Sequence, residues 1–257
     1  KKKEKLYHLI LLAKNNKGYK NLLKLTTIAH LDGFYYKPRL DWKTLKKYSE
    51  GLIATTACLS GPLSRHLNAN QIKTAEKNLN ILLDIFGKDN LYLEMQHLNS
   101  PQQNKVNKEM KKLANKYNLP LIITNDVHYI KKEDDQAQDI LLCIQTKYKQ
   151  AAKNRISYLG EDFSMLKEEE ISKLFPEDKE ALENTQKLAD RCNLKIELGN
   201  IQLPKYELPI GITEYEELER LCLQGLKKRY NVNKNTVNIK IKKRLKYELK
   251  IIKETGY

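Results

Sequence analysis

The stretch that decides the fold is residues 119–129, Leu-Pro-Leu-Ile-Ile-Thr-Asn-Asp-Val-His-Tyr. Its apolar first half, 119–124, predicts a buried strand, and the polar residues that follow mark the end of that strand. In an extended segment alternate side chains share a face, so Asp126 and His128 are expected to point into one pocket while Val127 faces away. Carboxylate oxygen and imidazole nitrogen suit zinc, manganese or iron, and this strand end is therefore a candidate metal site.

An isolated Asp-x-His pattern has a simpler interpretation, which stays open at this point. Asn125 and Asp126 are both common turn residues and could do no more than shape the turn. His128 would then pack on Tyr129 without binding anything.

The chain around this stretch alternates short apolar strands with amphipathic helices, which is typical of an α/β layer or barrel. A Ser-Pro pair at 100–101 predicts the start of one helix, and Gly87 predicts the end of another. Residues 158–165 are expected to form a strand or an extended segment. The predicted strands are 7–13, 51–56, 91–95 and 119–124. The predicted helices of this part are 19–30, 72–86, 101–117, 134–146, 168–175 and 179–192.

The organisation changes near Leu198. Residues 199–213 have the proline and glycine content of a linker, and 214–230 and 237–255 then predict two charged helices with no strand between them. The acidic residues of these two helices are expected to face solvent; they are Glu214, Glu216, Glu217, Glu219 and Glu248.

Composition narrows the class of protein. The 257 residues carry 47 basic and 32 acidic side chains, a net charge of +15, which favours a polyanionic partner such as nucleic acid, although the excess is spread along the chain.

The four cysteines, Cys58, Cys143, Cys192 and Cys222, are widely spaced, which indicates reduced thiols and no disulfide framework. No apolar run approaches a membrane span, and 1–5 lack the apolar stretch of a signal peptide, so we expect a soluble cytoplasmic protein. The chain starts without Met, and we expect it to be a piece of something longer.

Three successive strand ends offer metal-ligand chemistry. In α/β folds functional residues gather where the strands end, and these ends supply Cys58, then His97, then Asp126 with His128. Each has a plainer interpretation alone, Cys58 as a small buried hydrophobe and His97 as an ordinary histidine. Together they predict a metal centre.

Five ordered motifs resemble a known family, the α subunits of bacterial DNA polymerase III, which are replicative C-family polymerases. The resemblance runs along nearly the whole chain. The motifs are Gly-Phe-Tyr-Tyr-Lys-Pro-Arg at 33–39, Tyr-Ser-Glu-Gly-Leu-Ile-Ala at 48–54, Thr-Asn-Asp-Val-His-Tyr at 124–129, Asp-Ile-Leu-Leu-Cys-Ile-Gln-Thr at 139–146 and Ala-Leu-Glu-Asn-Thr at 181–185.

The resemblance implies a fold and a domain plan. Residues 1–198 correspond to the polymerase and histidinol phosphatase (PHP) domain, a distorted β/α barrel, here lacking its opening strands and their His-x-His pair. Residues 199–213 are then a linker, and 214–257 the helical start of the polymerase palm.

The resemblance also implies site residues. Of the family's metal ligands, Cys58, Asp126 and His128 match positions in this chain, and the metal would be zinc or manganese. His97 departs from the family's Gln-x-His-Gly pattern by one residue, with Leu98 in the expected place. A shift of one residue on a strand reverses the face, so His97 is the doubtful member of the set.

A DNA-directed DNA polymerase, that is, a nucleotidyltransferase of chromosome replication, is the function that the resemblance implies. Its substrates would be primer-template DNA and deoxynucleotides, and its partners the sliding clamp, the clamp loader and an exonuclease subunit, with no membrane. The carboxylates that hold magnesium for polymerisation are not found here, so this segment alone should not polymerise. The PHP domain would be either a metal-dependent proofreading 3′–5′ exonuclease or a docking platform. The alternative is a stand-alone PHP-type metal-dependent phosphoesterase.

Two basic features could touch nucleic acid. Lys242, Lys243, Arg244 and Lys246 on the last predicted helix form either a solvated face or a contact to phosphate backbone. The aromatic loop at 35–39, beside Trp42, either packs or contacts a single strand.

Overall fold

A computed structural model describes residues 6–98, 100–201, 203–230 and 238–256. The chain divides into two compact units after Ile196, and each is described by itself. The first unit has four strands, β1 Ile10–Ala13, β2 Leu52–Thr55, β3 Leu91–Gln96 and β4 Leu121–Thr124. Its helices are α1 Asn16–Leu31, α2 Trp42–Lys47, α3 Ser64–Asn68, α4 Ile72–Phe86, α5 Pro101–Tyr117, α6 Asp135–Thr146, α7 Glu168–Leu174 and α8 Lys179–Asp190. The second unit contains α9 Glu214–Tyr230 and α10 Ile239–Thr255.

Local signals fix the helix ends, as the sequence predicts. Ser100 caps α5 by accepting a hydrogen bond from the Gln103 amide at 3.2 Å, with Pro101 in the first turn. Gly87 ends α4 with a φ of 69°, a backbone conformation that other residues rarely adopt. The lengths of both helices therefore follow from a few neighbouring residues.

The four strands form one sheet in the order β1-β2-β3-β4. β2, β3 and β4 run parallel, with α4 and α5 in the connections, so their carboxyl ends point toward the same edge. β1 is antiparallel to β2, with Ile10 opposite Thr55, so the residues that precede β1 also arrive at this edge. The sheet therefore collects four segments of chain at one edge.

The sheet and its helices enclose the core of the first unit. Leu79 and Leu82 of α4 and Met110 of α5 are fully buried, together with Leu52 and Leu93 of the central strands. Burial of each such side chain contributes about 1.5–3 kcal/mol, and this packing holds the sheet edge in place.

One expectation, a strand at 158–165, is wrong, and another, the barrel, is not confirmed. Residues 158–165 form no strand in the part of the chain that the structure describes; they form a loop that packs Phe163 on Leu98 and Tyr129. The architecture is mixed α/β with a four-stranded sheet, and the described residues do not confirm a barrel.

The second unit buries one acidic side chain that was expected to face solvent. Glu217 is buried, with Arg220 bound to both of its carboxylate oxygens at 2.5–2.7 Å and the Tyr206 hydroxyl donating to it at 3.4 Å. The solvated-face interpretation is therefore wrong for Glu217. None of the helices within the described ranges has both the length and the apolar composition needed to span a membrane.

Candidate metal site at the carboxyl ends of the strands

A buried carboxylate, Glu94 of β3, lies at the centre of this edge, 2 % exposed. One of its oxygens, Oε2, accepts hydrogen bonds from the Thr55 hydroxyl and, at 3.0 Å, from the Ala57 amide. The other, Oε1, accepts from the Thr124 hydroxyl at 2.5 Å and from the Gln96 amide nitrogen at 3.3 Å. Donors from β2, β3 and β4 thus stabilise the Glu94 charge, which makes this residue a structural tie across three strands.

Cys58 follows β2 and lies half-buried at the same edge. The His8 Nδ1 atom lies 3.4 Å from its Sγ atom. Burial is the main cause that raises the pKa of the Cys58 thiol, and the Asp126 and Glu94 carboxylates raise it further. Cys58 is therefore protonated at neutral pH and a weak nucleophile.

Asp126 has a φ of 51°, so the backbone turns left-handed at this residue and does not continue as a strand. Because of this turn, the Nδ1 atom of His128 comes within 2.6 Å of the backbone oxygen of Asp126. That contact, with the ring donating, leaves Nε2 of His128 with its lone pair. The two residues are thus brought together by a turn and not by strand alternation.

The His128 ring packs on the 158–163 loop. Its centroid lies 4.5 Å from that of Tyr158 and 5.0 Å from that of Phe163, and its backbone amide donates to the Phe163 carbonyl at 2.9 Å. Burial raises the pKa of the Tyr158 hydroxyl, and the nearby Asp126 carboxylate raises it further, which places Tyr158 in the same cluster.

His97 makes its contacts elsewhere. Its Nε2 atom lies 2.8 Å from the Asp162 carbonyl oxygen, and its buried Nδ1 atom has no partner among the described residues. The ring lines a cavity of about 620 Å³ together with Tyr129 and Lys132.

The donors at this edge do not form a complete metal set. Across the described ranges of the chain, no three His, Cys, Asp or Glu side chains form a group that could hold a metal ion. Thiol, carboxylate and imidazole are zinc-type donors, yet both Glu94 oxygens are already engaged by donors from the neighbouring strands. The arrangement as it stands does not fit a resident metal.

Sequence reasoning missed two members of this edge. His8 lies just before β1 and is exposed and beside Cys58, because β1 pairs antiparallel with β2. The signal for Glu94 was available, since an acidic residue inside the apolar run Leu-Tyr-Leu-Glu-Met-Gln must find partners when buried.

The basic residues predicted to touch nucleic acid lie on α10 of the second unit. Lys243, Arg244 and Lys246 are exposed and Lys242 is half-buried. Arg244 is engaged by Glu248 one turn away, at 2.6 Å. The other three project their charge from the helix without an ion pair within the described ranges.

The chain is similar in sequence to known proteins. A model of the PHP domain family matches residues 1–98. The chain is 45 % identical over 253 residues to the DNA polymerase III subunit alpha of Borreliella burgdorferi, and it is 39 % identical to those of Treponema pallidum and Aquifex aeolicus. These matches cover 98 %, 96 % and 98 % of this chain but 22 %, 21 % and 22 % of the relatives, so the chain spans about a fifth of their length.

The resemblance seen in the sequence motifs is therefore confirmed: the chain, which contains PHP-domain sequence, is a homologue of one segment of the DNA polymerase III alpha subunits.

Proposed function

We propose that this chain is the PHP-containing segment of a replicative DNA polymerase, a DNA-directed nucleotidyltransferase. The observation that carries the proposal is identity of up to 45 % to DNA polymerase III alpha subunits over nearly the whole chain. The substrates are then primer-template DNA and deoxynucleotides, with magnesium at a polymerase site outside these 257 residues. The sliding clamp, the clamp loader and an exonuclease subunit are the expected partners.

The proposed domain plan assigns 1–198 to the PHP domain, 199–213 to a linker and 214–257 to the start of the palm. The division of the chain after Ile196 supports the first boundary. The parallel β2-β3-β4 arrangement supports a PHP-type barrel built around this sheet.

Primer extension by the full-length protein tests the proposal. The full-length protein with magnesium and all four deoxynucleotides is expected to extend a primed template. The 257-residue chain alone is not expected to do so, because no carboxylate set for polymerisation was found in it. A full-length protein that folds but does not extend the primer would refute the polymerase assignment.

Within that protein, we propose that the segment acts as a docking platform. Three observations support this role. The Glu94 carboxylate is fully engaged between strands, no three metal-ligating side chains come together within the described residues, and His97 contacts the Asp162 carbonyl. A platform needs a rigid sheet edge and needs no hydrolytic centre.

A metal-dependent exonuclease is the second candidate, with Cys58, Asp126 and His128 as ligands of zinc or manganese. One observation favours it: the ring of His128 donates through Nδ1 to a backbone carbonyl, which is how metal-bound histidines are commonly held. The remaining ring nitrogen is then free to ligate a metal, which would supply an activated water for hydrolysis.

Metal content and trimming of a mismatched primer end separate the two roles. The full-length protein is compared with an Asp126→Ala, His128→Ala double variant. A matched control, Asp84→Ala with His30→Ala, removes the same two side-chain types from the surface, where Asp84 pairs with Lys46 and His30 contacts Thr26. The platform role predicts that all three proteins lack stoichiometric metal and leave the mismatch untrimmed. Metal and trimming that are lost only in the Asp126→Ala, His128→Ala variant would establish the exonuclease.

A further inference from the structure

The loop between α1 and α2 is closed tightly at its base. The Gly33 amide donates to the Ile28 carbonyl at 3.0 Å, and the Arg39 Nε atom donates to the Gly33 carbonyl at 3.4 Å. A Cβ atom on Gly33 would lie 2.0 Å from the Arg39 backbone oxygen, so only glycine fits here. Within the loop the Tyr35 amide donates to the Lys37 carbonyl at 3.1 Å. These contacts fix the conformation of the loop.

This closed loop presents aromatic rings to solvent. Phe34, Tyr35 and Tyr36 are 58 %, 54 % and 82 % exposed. Tyr36 has a φ of 60°, a strained backbone conformation that is uncommon for a bulky residue. The surrounding contacts thus hold a large ring outward at an energetic cost, which is a pattern found at binding sites.

The rings are arranged with cations beside them. Tyr35 and Tyr36 stand edge to face with centroids 4.7 Å apart, and the Arg39 guanidinium lies over the Tyr35 ring at 4.8 Å. Trp42 behaves differently, since it is half-buried and stacks on Tyr7. The packing interpretation is thus correct for Trp42 and does not explain the exposed tyrosines.

The sequence that contains the loop is strongly basic. Residues 14–48 contain eight lysines and one arginine against two aspartates, a net charge of +7 out of +15 for the whole chain. Lys17 pairs with Glu50 and Lys46 with Asp84, whereas Lys37 has no acidic partner in the described part of the chain. About half of the net charge therefore lies in the stretch of sequence that contains the exposed rings.

We propose that the loop at 34–39 binds single-stranded DNA. Tyr35 and Tyr36 stack with bases, and Lys37 contacts the phosphate backbone. Aromatic rings beside cations are the chemistry by which proteins hold single strands without reading their sequence. A duplex offers no free base faces to the rings. The inference deepens the proposed function, since it rests on that function for the source of single-stranded DNA, the unpaired template.

Fluorescence anisotropy of a labelled oligo-dT of about 20 nucleotides tests the proposal in the full-length protein. A Tyr35→Ala, Tyr36→Asn variant removes both rings, and Asn tolerates the positive φ at position 36. We expect this variant to bind the oligonucleotide about tenfold more weakly or worse, with an unchanged salt dependence. Lys37→Gln is expected to keep the rings and to reduce the slope of log affinity against log salt, because one phosphate contact is lost.

Tyr148→Ala is the matched control. Tyr148 is 52 % exposed and lies between Lys147 and Lys149, so it reproduces an exposed tyrosine flanked by cations elsewhere in the same unit. It is expected to leave the affinity unchanged. A Tyr35→Phe, Tyr36→Phe variant retains both rings and is expected to bind as the wild type does. Equal thermal unfolding of all variants excludes misfolding as the cause.

The outcomes are distinct. Weaker oligo-dT binding by the ring-deleted variant, with no change in the Tyr148→Ala and the Tyr35→Phe, Tyr36→Phe variants and with duplex binding unchanged, supports the proposal. Unchanged oligo-dT affinity, or an equal loss on duplex, overturns it and leaves a protein partner as the occupant of the loop. Primer extension by the same preparations is measured separately. If no preparation extends a primer while the ring-dependent binding is present, the polymerase assignment fails and the single-strand site stands.

Discussion

The Thr124 hydroxyl at the end of β4 donates a 2.5 Å hydrogen bond to the Glu94 carboxylate of β3. The other oxygen of the same carboxylate binds donors from β2 and from the residues that follow it. One buried negative charge therefore connects the three parallel strands just where the candidate site residues leave them.

Removal of this carboxylate is expected to weaken the fold. Glu94→Ala leaves the hydroxyls of Thr55 and Thr124 and the amide of Ala57 without their acceptor, and buried donors that lose a partner cost about 1–3 kcal/mol each. We expect the free energy of unfolding in urea to fall by about 2–5 kcal/mol, within the range of large single-site effects. Glu94→Gln, which retains one oxygen, should cost less. Glu50→Ala, which removes a surface carboxylate, is the control, and an effect of Glu94→Ala no larger than this control would contradict the structural role.

The pair of Asp139 and Arg155 predicts a pH dependence. The Arg155 guanidinium, followed by the Ser157 hydroxyl, holds the pKa of the buried Asp139 carboxyl below its usual range. Because the folded pKa is lower than the unfolded value of about 3.9, the stabilisation is fully present above that value. It is lost as the pH falls through the folded pKa.

Asp139→Asn should therefore unfold at a lower urea concentration than the wild type at pH 7. The difference between the two midpoints is expected to shrink as the pH is lowered below about 4, because the Asp139 carboxyl of the unfolded chain then takes up a proton while that of the folded protein stays ionised to a lower pH. Asp84→Asn, at an exposed ion pair with Lys46, serves as the control and should show little difference. A difference for Asp139→Asn that is constant from pH 7 to pH 3 would count against the pKa argument.

The raised pKa of Cys58 predicts slow alkylation. In a protein whose other three cysteines are replaced by serine, the rate of reaction with iodoacetamide should reach half its maximum at a pH above about 8.5, the ordinary thiol value. Asp126→Asn removes one of the two negative charges that raise this pKa and is expected to shift the profile to lower pH. The shift should be partial, because burial is the larger cause. Asp32→Asn, at an exposed position, should leave the profile in place, and identical profiles for all three proteins would show that Asp126 does not act on the thiol.

Gly→Ala substitutions at two glycines with similar φ angles distinguish the cost of backbone strain from the cost of steric crowding. Gly51 and Gly87 have φ values of 76° and 69°, and a Cβ atom would meet nothing within 4 Å at Gly87 but would lie 2.5 Å from the Gly18 amide nitrogen at Gly51. Gly87→Ala is expected to cost about 1–3 kcal/mol for the backbone conformation alone. Gly51→Ala should cost at least about 1 kcal/mol more, because α1 must move away from the turn before β2. Equal losses in chemical denaturation would show that the close approach of Gly18 and Gly51 carries no energetic weight.

The sequence predicted those features that depend on neighbours along the chain. The ends of α5 follow from Ser100, Pro101 and the apolar spacing between them and Tyr117, and the observed helix has the predicted bounds. The bounds of α4 and α9 are also as predicted, and β3 differs from its predicted range by one residue. The edge that carries Cys58, Asp126 and His128 was likewise expected from the parallel strand ends.

The local conformation of the candidate site was less predictable. The sequence left both an extended segment and a turn open for residues 125–128, and the left-handed turn at Asp126 aims His128 at a backbone carbonyl and at the rings of Tyr158 and Phe163. The segment 158–165 resembles a strand by its composition, yet its side chains find their partners in Leu98 and Tyr129 as a loop. The ring contacts of His128 and the contacts of the 158–165 loop join residues that are more than 25 positions apart, and a local sequence pattern does not contain such contacts.

By itself the sequence determined the four strands, the helices other than the short α2 and α3, the relationship to the polymerase subunits and the residue types at the strand ends. Each of these depends on short-range spacing or on ordered motifs. Only the tertiary structure decided that β1 pairs antiparallel with β2, that His8 therefore meets Cys58, and that Glu94 is tied between three strands. These features depend on the burial and pairing of polar groups from segments that are far apart in the sequence. Such groups come into contact only in the folded chain.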